Sequence, residues 1–342
     1  MDMADLVLVT GGTGFVGIHC VALLLRKGYR VRTTVRSMER AGDVLGMLER
    51  DGLHDAEVEC IAADLKADAG WQEAVQGCRY VLHVASPFYL EKVRHEDELV
   101  VPAREGTLRV LKAARDAGVE RVVLTSSIAA IAYGHAEQAE PFTEQDWTRL
   151  GSEEVSPYIK SKMLAERAAW DFMASEGSGM QMVAVNPVGI FGPALGPKLS
   201  TSVEMIQKML KGELPGLPRM TFGAVDVRDV AELEWLAMTA QVADGQRYIA
   251  VAGEPLPLVE FAHMLKRHLG AWASKVPTRV VPDWVMRLGA MVKPELRYLL
   301  PQLGKSRRSN ANKAMSELGW RPRSAEESVN ASADSLFELG LV

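Results

Sequence analysis

Thr10-Gly11-Gly12-Thr13-Gly14-Phe15-Val16-Gly17 follows directly on an apolar run, Leu6-Val7-Leu8-Val9, and leads into apolar residues at helical spacing from Phe15 to Lys27. Glycines at 11, 14 and 17 give a backbone that bends sharply and lets a pyrophosphate approach where a Cβ would stand in the way. A helix starting here aims its free N–H groups and the positive end of its dipole at such a phosphate. Strand, glycine turn and helix in succession separate a dinucleotide turn from an ordinary tight one. Gly11, Thr13, Gly14, Phe15, Val16 and Gly17 are therefore the candidate cofactor contacts of this turn.

Outward from the turn the alternation repeats. Gly28 stands where a helix ends, and Tyr29–Val35 alternates like a strand. Apolar runs follow at Val58–Ala62, Tyr80–Ala85, Val119–Thr125 and Met180–Val185. Helical stretches such as Val100–Ala117 and Tyr158–Ser175 lie between them. This pattern predicts an α/β fold, a Rossmann-type doubly wound parallel sheet covered on both faces. Past Pro193, prolines and glycines cluster. Val203–Lys211 reads as a helix, Arg247–Val251 as a last strand, and the remainder as mainly helical. The expected organisation is a dinucleotide-binding domain over 1–192, rejoined by late elements near 222–251, with a smaller substrate lobe over 193–342.

The end of the second strand bears on which dinucleotide is bound. An NAD-binding chain usually places an acid there for the ribose hydroxyls. Here the residues are Thr33-Thr34-Val35-Arg36-Ser37, with Arg40 close behind. A guanidinium suits a 2′-phosphate, because its planar fork donates to phosphate oxygens. Arg36 therefore points to NADP(H).

Tyr158-Ile159-Lys160-Ser161-Lys162 follows Ser156 and Pro157, which read as a helix cap and first turn. Tyr158 and Lys162, four apart, share one helix face. A nearby ammonium is expected to lower the tyrosine pKa, making it an acid–base group, and to hold a ribose. Thr125-Ser126-Ser127 ends a predicted strand, where ligands sit in such sheets. A serine hydroxyl there can orient a substrate carbonyl. One of Ser126 and Ser127 must face away.

Composition narrows the partners. The chain has 342 residues, and 48% hydrophobic with 24% charged residues gives material for a core without a sign of wholesale disorder. Its net charge of -5 is spread without blocks, so neither nucleic acid nor an anionic membrane is expected. No run approaches the roughly 20 apolar residues of a membrane helix, and the acidic start does not read as a signal peptide. Cys20, Cys60 and Cys78 make neither a disulfide framework nor a zinc pattern, so a cytoplasmic location with free thiols is expected. His263 and His268 are five apart, poor chelating geometry, and no metal is expected. Lys305-Ser306-Arg307-Arg308 reads as a solvated loop. Exposed apolar helices would allow a homodimer.

Taken together these motifs resemble the extended short-chain dehydrogenase/reductase family. The further matches are Asp64-Leu65, Asn186-Pro187 before Gly192-Pro193, and Val227-Arg228-Asp229-Val230-Ala231. Val31-Arg32-Thr33-Thr34-Val35-Arg36 and His83-Val84-Ala85-Ser86-Pro87-Phe88 resemble the branch of dihydroflavonol, cinnamoyl-CoA and aldehyde reductases. The resemblance implies Ser127, Tyr158 and Lys162 as catalytic residues. It sets Arg36 on the 2′-phosphate and Asp64 and Leu65 by the adenine. Val84, Ala85 and Ser86 would line the cofactor, with Pro187 and Val188 near the nicotinamide. The implied activity is NADPH-dependent reduction of an aldehyde or ketone, a small-molecule substrate. Plant flavonoid reductases carry an asparagine where this chain has Ala132. Cinnamoyl-CoA reductases carry Asn-Trp-Tyr-Cys where it has Ser156-Pro157-Tyr158-Ile159. Neither plant substrate is assigned. Phe88, Tyr89 and Tyr133 are expected as apolar pocket walls. Two rival readings share the fold: an NAD-retaining sugar-nucleotide epimerase or dehydratase, and a non-catalytic NADP(H)-binding regulator.

Overall fold

Side chains of the first strand, β1 (Leu6–Val9), divide between two cores: Leu6 and Leu8 enter one, Val7 and Val9 the other. A strand buried on both faces belongs at the centre of a covered parallel sheet. The structure, a computed structural model, describes residues 4–86, 95–136, 138–293, 296–297 and 299–342. After β1 come α1 (Phe15–Arg26), β2 (Arg30–Val35), α2 (Ala41–Arg50), β3 (Val58–Ala62), α3 (Trp71–Val75) and β4 (Tyr80–His83). Next are α4 (Asp97–Asp116), β5 (Arg121–Thr125), α5 (Pro157–Glu176) and β6 (Gln181–Pro187). A late strand, Arg247–Ala250, pairs in parallel with β6 and closes a seven-stranded sheet. Counted from the opposite edge the order is β3-β2-β1-β4-β5-β6 and then this late strand. The order reverses between β1 and β4, and in such sheets ligands bind outside the strand ends at that reversal.

Local chemistry fixes the ends of the two helices that matter most. Before α1, Gly14 is extended and supplies no side-chain cap, and no acid stands in the first turn. The first N–H groups of α1 thus lack a protein side chain to satisfy them. At its far end Gly28 takes φ +84°, the left-handed geometry of a glycine stop. α5 is capped by Ser156, whose side chain accepts from the Ile159 N–H, with Pro157 at its first position.

Between β6 and the late strand lie β7 (Gly189–Phe191), α6 (Thr201–Lys211), β8 (Leu217–Pro218), β9 (Thr221–Phe222), β10 (Ala224–Asp226) and α7 (Val227–Thr239). The late strand itself is β11. Beyond it are α8 (Leu258–Leu269), α9 (Asp283–Val292), α10 (Asn312–Leu318) and α11 (Ala325–Glu338). α6, α8 and α11 build a third core, with Val203, Ile206, Phe261, Leu265, Val329 and Leu336 at its centre. The segment past 193 does not all go there. α7, β11, Ala314 of α10 and Trp320 belong to the sheet's own core. Trp320 is buried and its indole N–H donates to the Asp229 carbonyl at 2.8 Å.

Trp320→Ala is expected to cost about 3–5 kcal/mol, the usual range for emptying a large aromatic site. Urea unfolding of the two proteins measures it. A loss below about 1 kcal/mol would contradict the packing described.

Candidate functional site

A cavity of about 960 Å³ runs along the C-terminal ends of the strands. Each central strand delivers residues to it. Gly11, Thr13, Gly14, Phe15, Val16 and Gly17 follow β1, and Arg36 follows β2. Asp64 and Leu65 follow β3, and Val84, Ala85 and Ser86 follow β4. Ser126 and Ser127 follow β5, with Pro187 and Val188 at the end of β6; Tyr158 and Lys162 reach in from α5. The fold thus gathers residues from seven separate stretches around one cavity. Tyr133 also borders the cavity, whereas Phe88 and Tyr89 lie outside the described residues.

The end of the cavity at β1 is shaped for a dinucleotide. Gly11 has φ +76°, and a Cβ there would lie 3.1 Å from that of Ala85. A Cβ on Gly17 would stand 2.4 Å from the Gly11 carbonyl oxygen, so any side chain would force the turn away from the helix. The uncapped first turn of α1 opens on the same space. At the end of β2 three cations gather. Burial, and then repulsion by Arg40 and Arg36, hold the Lys198 ammonium below its ordinary value. Arg40 is also paired with Asp43 at 2.8 Å. Such a cluster is unfavourable on its own and suits a dianion such as a 2′-phosphate. The residues present fit NADP(H). Lys198 had no signal in the sequence, because it is brought to Arg36 only by the fold.

Deeper in the cavity Ser127, Tyr158 and Lys162 meet. Ser127 is extended; its hydroxyl accepts from the Ala129 N–H at 3.1 Å and makes a side-chain hydrogen bond to the Tyr158 phenol. Burial pushes Tyr158 up to about 12, opposed by the Ser127 bond and reinforced by Tyr133. The sequence led us to expect a tyrosine lowered by its lysine. In the free protein burial outweighs any such effect, and the phenol keeps its proton at neutral pH. Burial also brings Lys162 down to about 8, against the pull of the Glu166 carboxylate.

Glu166, two turns beyond Tyr158 on α5, is 1% exposed. Its carboxylate accepts from the Ser126 hydroxyl, from the Asn186 amide at 2.7 Å, from Arg247 Nε at 2.6 Å and from the Trp170 indole at 3.3 Å. Asn186 also donates to the Ser127 carbonyl at 3.2 Å. Ser126 is thus turned into the protein behind the wall, and Ser127 is the one whose hydroxyl meets Tyr158. Arg247 reaches on to the carbonyls of Glu144 and Asp146 and lies 3.9 Å from the centre of the Trp147 ring.

At the outer end Lys305, Ser306 and Arg308 of the basic run are exposed, as expected of a solvated loop, but Arg307 turns inward. Glu154, only 6% exposed, holds Lys305 at 3.0 Å and Arg307 more closely still. Arg307 lines the cavity beside Gln302. The sequence shows four polar residues in a row, but the buried partner lies some 150 positions earlier, where no local pattern points to it.

A sequence model described as the NAD dependent epimerase/dehydratase family matches residues 7–252. The chain belongs to that family. It is 36% identical over 250 residues to a cinnamoyl-CoA reductase of Medicago truncatula, covering 72% of this chain and 76% of the relative. An NADPH-dependent methylglyoxal reductase of Saccharomyces cerevisiae is 34% identical over 264 residues, covering 71% and 77%. The crystal structure of yeast methylglyoxal/isovaleraldehyde reductase Gre2 complexed with NADPH superposes with a TM-score of 0.80 at 26% identity, covering 98% of this chain and 100% of that one. These relatives fall in the reductase branch that the motifs resemble. No helix among the described residues is long and apolar enough to cross a membrane.

Glu166→Gln leaves Arg247 buried beside a neutral partner. Breaking such a pair is expected to cost about 3–5 kcal/mol, again by urea unfolding. Unchanged stability would mean that the charge on Glu166 is not what holds Arg247.

Proposed function

We propose that this protein reduces an aldehyde or ketone to the alcohol with NADPH. The observation that carries the reading is the meeting of Ser127, Tyr158 and Lys162 in one cavity whose other end offers a glycine turn and three cations. When bound, NADPH supplies the hydride. Arg36, Arg40 and Lys198 take the 2′-phosphate, and the first N–H groups of α1 donate to the pyrophosphate. Asp64 and Leu65 border the adenine, and Val84, Ala85, Ser86, Pro187 and Val188 wall the nicotinamide end. Lys162 donates to the ribose hydroxyls. The Ser127 hydroxyl donates to the substrate carbonyl oxygen and fixes it toward Tyr158.

Tyr158 then gives its proton to that oxygen as the carbonyl carbon is reduced. Burial keeps the phenol protonated, which is the state a proton donor needs. The phenolate left behind is stabilised by the Lys162 ammonium and the Ser127 hydroxyl until solvent returns a proton. The rival epimerase or dehydratase reading draws no support from the end of β2, where cations stand in place of an acid. The regulator reading leaves the Ser127–Tyr158 contact without a use. We extend the proposal to a cytosolic homodimer, for which Trp284, Leu288 and Met291 form one exposed apolar stripe on α9; light scattering reads the mass.

Loss of nicotinamide absorbance with NADPH or NADH, over a panel of aliphatic and aromatic aldehydes, ketones and diketones, tests the activity. Tyr158→Phe is expected to lower kcat at least about 100-fold, within the range for a lost general acid, at unchanged thermal stability. Full activity in that variant would remove Tyr158 from the chemistry. Arg36→Gln is expected to raise KM for NADPH about 10-fold or more while sparing NADH, from the loss of a charged hydrogen bond. An equal effect on both cofactors would refute the 2′-phosphate role. The Lys162 ammonium is present below about pH 8 and lost above it. kcat/KM for NADPH, which reports the free enzyme, should therefore fall as pH rises through about 8.

A further inference from the structure

We propose that Arg307 reads the substrate: it receives an acceptor oxygen, of a carboxylate or of a second carbonyl, carried beside the carbonyl that is reduced. This rests on the reductase reading and adds the substrate class.

Arg307 comes from the chain beyond α9, yet it borders the same cavity as Ser127 and Tyr158. Its guanidinium lies 4.2 Å from the centre of the Tyr133 ring. Tyr133 in turn is near enough to Tyr158 to act on its phenol. Tyr133 therefore neighbours both the guanidinium and the proton donor, and all three border one cavity. The cations at the end of β2 serve the opposite end of the cavity.

The hydrogen bonds of Arg307 are incomplete. Nη2 donates to the buried Glu154 carboxylate. Nε and Nη1 have no hydrogen-bond partner among the described residues, although the side chain is only 17% exposed. A guanidinium carries five N–H donors, and those that Glu154 does not take are open to whatever enters the cavity. Among the described residues, the carboxylates that line the cavity, Asp64 and Glu204, make no ion pair with Arg307.

The group is also held still. The Tyr133 ring lies against the guanidinium, and Glu154 holds its Nη2. Glu154 is itself anchored through its backbone, whose carbonyl accepts from Gln302 Nε2 at 3.2 Å. A rigid, half-desolvated guanidinium with unused donors gains more from an acceptor oxygen than a mobile surface arginine does. A carbonyl compound with no second oxygen leaves those donors unused, and the site discriminates against it.

The test compares three ketones of one chain length, 2-oxopentanoate, 2,3-pentanedione and 2-pentanone, with NADPH and the full chain. At least one of the first two is expected to exceed 2-pentanone in kcat/KM by about 10-fold or more, the worth of a hydrogen bond to a charged group. Which one leads tells whether the oxygen belongs to a carboxylate or to a carbonyl. In Arg307→Met the ratio should fall to about one, chiefly through KM. Lys305→Met, which removes the other cation on Glu154 and leaves the guanidinium in place, should keep wild-type rates and ratio. Equal kcat/KM for all three ketones in the wild type would overturn the proposal. So would a preference that survives in Arg307→Met, or one lost equally in Lys305→Met. Pentanoate, which is not reduced, separates the two layers of the argument. If no ketone is turned over but pentanoate raises the melting midpoint of wild type and not of Arg307→Met, the reductase reading fails and the anion site stands. If pentanoate also has no effect on that inactive protein, both fail.

Discussion

A carboxylate with no access to water must find donors for both of its oxygens, and Glu166 finds four. The donors come from β5, from β6, from β11 and from α5 itself. Glu166 therefore joins the ends of three adjacent strands to the helix that carries Tyr158 and Lys162. The arrangement settles which of two neighbouring serines turns inward and which meets the phenol. It also adds a negative charge behind Lys162, partly offsetting what burial takes from the ammonium. Most buried ion pairs contribute little net stability. What this one provides is position, since four segments distant in sequence share a single fixed point.

A second buried acid shows the contrast. Glu234 of α7 is also without access to water, but among the described residues only Thr125 bonds to it, and burial pushes it up to about 8. With one hydrogen bond and no cation it is held as the neutral acid at physiological pH. Both acids sit against the end of β5, at Ser126 and at the neighbouring Thr125. One is a charge neutralised by a partner and the other a charge never formed, and each is an acceptable solution to the same desolvation penalty.

Much of this was legible from the sequence because the determinants are local. The glycine turn needs residues within eight positions of one another, and Tyr158 and Lys162 need only one helical turn. Strands buried on both faces announce themselves as apolar runs, so β1, β5 and β6 fell close to their expected places. What stayed hidden was non-local. Lys198 meets Arg36 across the cavity, and Arg307 meets Glu154 only because the chain returns past the lobe. Trp320 goes back to the sheet's own core although its neighbours in sequence suggest the lobe. The direction of the Tyr158 shift was missed for a related reason: motif spacing gives the lysine's proximity but says nothing of how dry the pocket is.

The order in which the site's parts appear along the chain has a consequence for synthesis. The phosphate turn, the serine and the tyrosine are all made before residue 163, whereas the wall that faces them across the cavity arrives with Gln302 and Arg307. The indole that seals the sheet's core follows at Trp320. On the ribosome, the residues around the glycine turn are therefore synthesised well before those that border the far end of the cavity. Because Trp320 packs into the core that carries the glycine turn, the part of the site made first is completed by a residue made almost last.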